Sequence, residues 1–210
     1  MIRILIADDH AIIRQGLKQI LDESGEMSVT AEAANGGEAL HKLREGEYDV
    51  VLLDISMPGK SGIEVLKQIK EEKPKLPVLI LSIYPEDQYA VRLLKAGAAG
   101  YLTKESAPEE LVKAVRRVAA GKKHISPAVA EMLADGIGSE ASQAPHEILS
   151  DREYQIFLLL AAAKTVSEIA DKLALSVKTV STYRHRILEK MHLRNNAELM
   201  HYAIGKHLTE

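Results

Sequence analysis

The sequence predicts an α/β fold, a doubly wound five-stranded parallel sheet, followed by a small all-α domain. Three observations carry this prediction. Nearly uninterrupted aliphatic runs recur at residues 4–7, 50–53 and 78–81, and a strand that is apolar on both faces is one covered on both faces. Between the runs, apolar residues spaced three, four and seven apart mark helices packed on a sheet. Beyond residue 149 the strand pattern disappears and helical periodicity continues to the end.

In chain order, the strand at 4–7 leads to a helix carrying Ile12, Ile13, Leu17, Ile20 and Leu21. A weaker strand at 29–33 and the strong one at 50–53 precede a helix with Ile63, Leu66 and Ile69. The strand at 78–81 and a weaker one at 100–102 complete five, and Pro108 opens a last helix reaching about 120, since proline at the first helical turn sacrifices no hydrogen bond. From 121 to 147 the pattern dissolves, apart from a short helix over 127–135. The small and polar residues from Gly136 to Pro145 read as a flexible linker. The expected organisation is therefore a first domain over 1–121, a linker over 122–147 and a second domain over 148–210.

In the second domain, Ser150 with Glu153 forms a capping box that opens a helix carrying Ile156, Leu159 and Leu160. A second helix runs from about 166 through Ile169, Ala170 and Leu173. After a break at 174–176, Ser176 caps a third helix whose expected buried stripe is Val180, Tyr183, Ile187 and Met191. Two helices joined by so short a turn suit a helix-turn-helix.

Composition narrows the function classes. With 46% hydrophobic and 27% charged residues, the chain is not wholly disordered. Cysteine is absent, which excludes disulfides, thiolate nucleophiles and cysteine metal sites. The first apolar run meets Asp8 and Asp9 at once, far short of a signal-peptide core or a membrane span, so a cytoplasmic protein without membrane contact is expected. The net charge of −3 is uneven: residues 1–148 carry −5, residues 149–210 carry +2, and the stretch 176–195 alone carries +4. Such a basic stretch fits a polyanion partner, although a solvated helix face has the same composition.

In a parallel sheet all strands end on one edge, where ligands bind. That edge collects Asp8, Asp9, Asp54, Ser82 and Lys104. Crowded carboxylates repel unless a cation sits among them, and an all-oxygen site of this charge suits Mg²⁺. With the metal and Lys104 neutralising an incoming phosphoryl group, Asp54 is placed to act as a nucleophile and Ser82 to bond a phosphoryl oxygen. Strand-end aspartates often only cap turns, and Ser82 and Asp8 are the two most open to that explanation.

Asp8-Asp9, the segment Asp54-Ile55-Ser56-Met57-Pro58-Gly59, Ser82, and Gly100-Tyr101-Leu102-Thr103-Lys104 together resemble the response-regulator receiver, a flavodoxin-like domain. The resemblance implies that Asp54 is the phosphate acceptor and that Asp9 and Asp54 ligate Mg²⁺ with the backbone carbonyl of Ser56. Asp8 would assist through water, Ser82 and Tyr101 would form a switch pair, and Lys104 would contact the phosphate. Tyr101 also reads as an ordinary half-buried aromatic. Glu105 departs from the proline common after the lysine, which bears on the loop geometry.

The outward face of the third C-terminal helix presents Lys178, Ser181, Thr182 and His185 as base-reading candidates. Arg184, Arg186 and Lys190 flank the stripe as phosphate contacts. Leu149-Ser150-Asp151-Arg152-Glu153, Glu168-Ile169-Ala170 and 175–180 resemble the LuxR-type output domain, as does 188–193. Two departures are Ala161-Ala162-Ala163-Lys164, which lacks a glycine often found there, and Tyr183, where histidine is frequent. Receiver plus this output is similar to the NarL/FixJ type of regulator, and 179–186 further resembles the GacA/UvrY kind. The implied function is a non-enzymatic regulator phosphorylated by a sensor histidine kinase, dimerising and binding double-stranded DNA. A Mg²⁺-dependent phosphohydrolase is the competing class, but its acid two residues after the nucleophile would be position 56, which is Ser. A protein-binding module is a third.

Overall fold

The computed structural model describes residues 1–138, 144–206 and 208, with no account of side chains at 135–138. The chain divides into two compact units, Met1–Ala134 and Asp135–Glu210. In the first, strands β1 (Ile2–Ala7), β2 (Met27–Ala33), β3 (Val50–Asp54), β4 (Val78–Ser82) and β5 (Gly100–Thr103) form one sheet in the order β2-β1-β3-β4-β5. Every pairing is parallel. Helices α1 (Ala11–Glu23), α2 (Gly36–Glu45), α3 (Gly62–Glu72), α4 (Glu86–Lys95) and α5 (Pro108–Ala119) alternate with the strands. The doubly wound α/β expectation is met strand for strand.

All residues of β3 and β4 are buried, which is what their uninterrupted apolar runs required. Ile4, Ile6, Val50, Leu52, Leu79 and Leu81 share one core with Leu21 of α1 and with Leu111, Ala114, Val115 and Val118 of α5. The alternate positions Leu5, Val51, Leu53 and Ile80 are equally buried and, by strand alternation, face the opposite side of the sheet. Strand order reverses between β1 and β3, and the crevice beyond their C-terminal ends is where Ala7 and Asp54 finish.

Residues 122–134, expected as the first half of the linker, belong to the first unit. His124 bridges Gly100 in parallel and donates its backbone N–H to Ala99 O at 2.9 Å. A Cβ at Gly100 would stand 2.6 Å from His124 O, so this glycine is what lets the strap approach β5. Helix α6 (Pro127–Gly138) runs past the expected end at 135, into the tract read as flexible; residues 139–143 of that tract lie outside the described residues.

In the second unit a 3₁₀ turn over Pro145–Ile148 precedes α7 (Asp151–Ala161), α8 (Val166–Leu173), α9 (Val177–Lys190) and α10 (Asn196–Gly205). Helix α7 is buried from Glu153 to Ala161, and α8, α9 and α10 all pack on it. Ser150 and Glu153 form the expected capping box, and Thr165 with Glu168 forms a second. In α9 the stripe differs from expectation: Val180, Ile187 and Met191 are buried, Leu188 joins them, and Tyr183 is only half-buried. The turn without glycine closes with Ala163 in the left-handed region at φ 59°. Among the described residues no helix is long and apolar enough to cross a membrane.

Candidate functional site

The ends of β1, β3 and β5 bring Asp8, Asp54 and Lys104 into contact. Lys104 Nζ lies 2.6 Å from Asp8 Oδ2 and 2.8 Å from Asp54 Oδ2, and its side chain is 8% exposed. Asp54 Oδ1 accepts the backbone N–H of Ser56 at 2.9 Å. The end of β3 is held from below. Gly62 opens α3 directly against it, and a Cβ there would meet Asp54 O at 2.3 Å and Ile55 Cα at 2.5 Å. Ser61 caps that helix, exchanging hydrogen bonds with Glu64.

Asp8, Asp9, His10 and Asp54 each offer one ligand atom, and the four atoms lie within 4.8 Å of one another. Asp8 Oδ2 and Asp9 Oδ1 are buried oxygens with no aligned hydrogen-bond donor, although Lys104 Nζ stands 2.6 Å from the first and His10 Nδ1 2.8 Å from the second. Lys104 is held above the ordinary lysine value: burial opposes this, but the charge and hydrogen bond of Asp54, with the nearby Asp8 carboxylate, outweigh it. Burial pushes Asp54 above the usual carboxylate range, an effect that Lys104 and the Ser56 N–H only partly offset and that Asp8 reinforces. The pocket is thus short of positive charge, and its donor set of carboxylate oxygens fits a hard divalent cation.

Ser82 ends β4 fully buried, its Oγ accepting the Tyr84 N–H at 3.0 Å. Tyr101 is also buried, contrary to a half-exposed aromatic, and its hydroxyl donates to Tyr84 O at 2.7 Å. Burial pushes the Tyr101 phenol well above its ordinary value, and a hydrogen bond with Ser82 works against this. Ser82 and Tyr101 therefore meet at the start of α4. After Lys104 the loop closes as a turn, with Ser106 N–H donating to Thr103 O at 3.0 Å.

Two residues of this pocket went unforeseen. His10 adjoins the acidic pair, and that adjacency was the available signal. Arg14 Nη1 donates to Asp8 O at 2.7 Å while its Nε reaches Glu32 at 3.3 Å, tying the end of β1 to β2. Nothing in the sequence pairs positions 14 and 32.

On α9, Lys178, Ser181, Thr182, His185 and Arg186 are exposed. Ser176 caps the helix by accepting Thr179 N–H at 3.0 Å. Two proposed phosphate contacts are held within the domain: Arg184 Nε donates to Asn196 Oδ1 at 2.6 Å, and Lys190 Nζ lies 2.7 Å from Glu153 Oε2.

Comparison with known proteins gives these two sites a family. Residues 4–116 match the response regulator receiver domain, and residues 147–203 match the bacterial regulatory proteins of the luxR family. The chain belongs to the LuxR-type response regulators. This regulator is 41% identical to response regulator GacA of Pseudomonas viridiflava, over 97% of this chain and 96% of that one. It is 38% identical to response regulator UvrY of Escherichia coli K12, over 97% and 94%. Among solved structures it resembles RcsB of Salmonella enterica serovar Typhimurium bound to promoter rprA with phosphomimetic BeF₃⁻ (TM-score 0.65, 27% identity, 96% of this chain and 97% of that one). A two-component regulator of the LuxR family from Aurantimonas has TM-score 0.61 at 35% identity, covering 66% of this chain and 99% of that one.

Proposed function

We propose that this regulator takes a phosphoryl group from a sensor histidine kinase onto Asp54 and, in consequence, dimerises and binds double-stranded DNA through α9. The observation that carries the first half is the position of Asp54: a buried carboxylate, anchored by the Ser56 N–H, facing a single ammonium that it shares with Asp8. Asp8, Asp9, Asp54 and the Ser56 carbonyl are the residues that would hold Mg²⁺, which when bound neutralises phosphoryl charge. Lys104 supplies the second positive charge and a hydrogen bond. As the phosphoryl group arrives on one Asp54 oxygen, Lys104 exchanges its carboxylate partner for a phosphoryl oxygen, and the Ser82 hydroxyl is the nearest buried donor on β4. Withdrawal of Ser82 from Tyr84 N–H frees the segment that Tyr101 also holds.

For the second half, the support is the exposed polar face of α9 at the end of a short turn from α8, and the RcsB neighbours, which were solved with DNA and in one case as two dimers on two DNAs. Lys178, Ser181, Thr182 and His185 read bases, and Arg186 contacts phosphate. Arg184 and Lys190 reach DNA only by leaving Asn196 and Glu153. The regulator acts as a switch in the cytoplasm and turns over no substrate of its own.

The test is the acyl phosphate itself. Incubated with a small acyl-phosphate donor and Mg²⁺, the protein gains a phosphoryl adduct visible by intact mass, and Asp54→Asn gains none while keeping its circular dichroism. An undiminished adduct on Asp54→Asn moves the acceptor elsewhere.

A further inference from the structure

Four hydroxyl side chains cluster on the N-terminal half of α9, and they differ in what they have left to offer a base. Ser176 Oγ accepts Thr179 N–H at 3.0 Å and stands 2.7 Å from Thr179 Oγ1, so these two are consumed by the cap. Thr182 Oγ1 donates to Lys178 O at 2.9 Å, one turn back along the helix. The hydroxyl of Ser181, which is exposed, makes no hydrogen bond to any described residue and is kept for an outside partner. Thr182 is exposed as well. With its hydroxyl proton committed to the helix backbone, Thr182 has no donor left for a base acceptor, and its methyl is free for apolar contact.

A methyl group on a groove-facing helix has one complementary feature among the base edges of the major groove, the 5-methyl of thymine. We propose that Thr182 selects a thymine through methyl–methyl contact, while hydrogen-bonding readout at the centre of the helix falls to Ser181. This rests on the reading of α9 as the helix that enters the groove. It separates two side chains that sequence places in the same category, because a threonine and a serine side by side on one helix face look interchangeable until the partner of each hydroxyl is known. Donating the Thr182 hydroxyl proton to a base acceptor would leave the Lys178 carbonyl without this partner, whereas methyl contact leaves the helix as it is.

The experiment uses the full chain, activated with a small acyl-phosphate donor and Mg²⁺, to select binding sites from a random duplex pool. Each thymine of the selected site is then replaced singly by uracil, which lacks only the 5-methyl. Wild type, Thr182→Val, Thr182→Ser and Ser181→Ala are titrated against every duplex at fixed salt. Valine keeps the methyl and loses the hydroxyl; serine does the reverse. One thymine per half-site is expected at which uracil weakens wild type and Thr182→Val about fourfold, the worth of one buried methyl group. Thr182→Ser should bind the parent site about fourfold more weakly and be indifferent to uracil at that position. Ser181→Ala should keep the uracil sensitivity. If Thr182→Val is weakened while Thr182→Ser is not, the hydroxyl reads the base and the proposal is overturned. It is overturned equally if Thr182→Ser retains wild-type sensitivity at every thymine, or if no thymine is sensitive. Failure of α9 to read DNA at all looks different: no common site emerges, or every α9 variant binds selected and scrambled duplexes alike.

Discussion

Glu153 and Lys190 show what one residue pair can hide. Glu153 is a cap residue by sequence, yet it is 3% exposed and its carboxylate meets Lys190, which sequence offers as a free cation. Burial alone would raise the Glu153 pKa, but the hydrogen bonds from Lys190 and Ser150 outweigh it and hold the carboxyl below the usual range. A carboxylate depressed in the folded state contributes stability that is fully present above its unfolded value, roughly 4.3, and is lost as pH falls through the lower folded value. Lys190→Ala should cost about 1–2 kcal/mol near neutral pH, discounted because the lysine is partly exposed, and that cost should shrink as pH falls through the acid range, because protonated Glu153 no longer pairs with Lys190. Urea midpoints measured across the acid range for both proteins check this; parallel profiles would mean that the pair contributes nothing. The same logic explains what was legible in the sequence. Asp8, Asp9, Asp54, Ser82 and Lys104 were readable because a parallel sheet sends every strand end to one edge, whatever the sequence separation. Arg14 and the partners of Arg184 and Lys190 were not, because they depend on which side chains meet across elements that no periodic pattern relates.

At the scale of the element, strands and helices were readable from apolar spacing, while their ends were fixed by caps and turns of several kinds. Ser150, Ser176 and Pro108 announced helix starts correctly. Thr165-x-x-Glu168 and Ser61-x-x-Glu64 carry the same signature and form the same reciprocal bonds. Helix ends were harder to read because α7, α8 and α9 terminate on left-handed residues that are not glycine: Ala163 at φ 59°, Ala174 at φ 51° and His192 at φ 55°. A β-carbon in that region costs about 1–2 kcal/mol, part of which a glycine would return in the unfolded chain as extra entropy. Ala163→Gly and Ala174→Gly are each expected to stabilise the second unit by about 0.5–1 kcal/mol in urea unfolding. Ala174 sits in the turn of the helix-turn-helix, so a stabilised variant that binds DNA more weakly would show the strained turn to be held for function. The strap at 122–127 was missed for a different reason. A single bridge between His124 and Gly100 has too few residues to establish a strand period, and its neighbourhood reads as a linker.

For the whole molecule, the two units each bury their own core, so they need not unfold together. Calorimetry should resolve two transitions. A phosphoryl analogue with Mg²⁺ binds only the folded first unit and a cognate duplex only the folded second, so each ligand stabilises its own unit, by about 2.7 kcal/mol at a hundredfold excess over its dissociation constant. Independent units would respond only to their own ligand. A switch is something more: if phosphorylation raises DNA affinity a hundredfold, the coupling free energy is also about 2.7 kcal/mol, and linkage requires DNA to tighten the phosphoryl analogue by the same factor. The decisive measurement is the affinity for beryllofluoride with Mg²⁺, with and without saturating cognate duplex, followed by the reverse titration. Equal factors in both directions, well above one, are the expected result. A factor of one in both means that phosphorylation at Asp54 does not act through DNA affinity, and control would then have to lie in what the bound protein recruits.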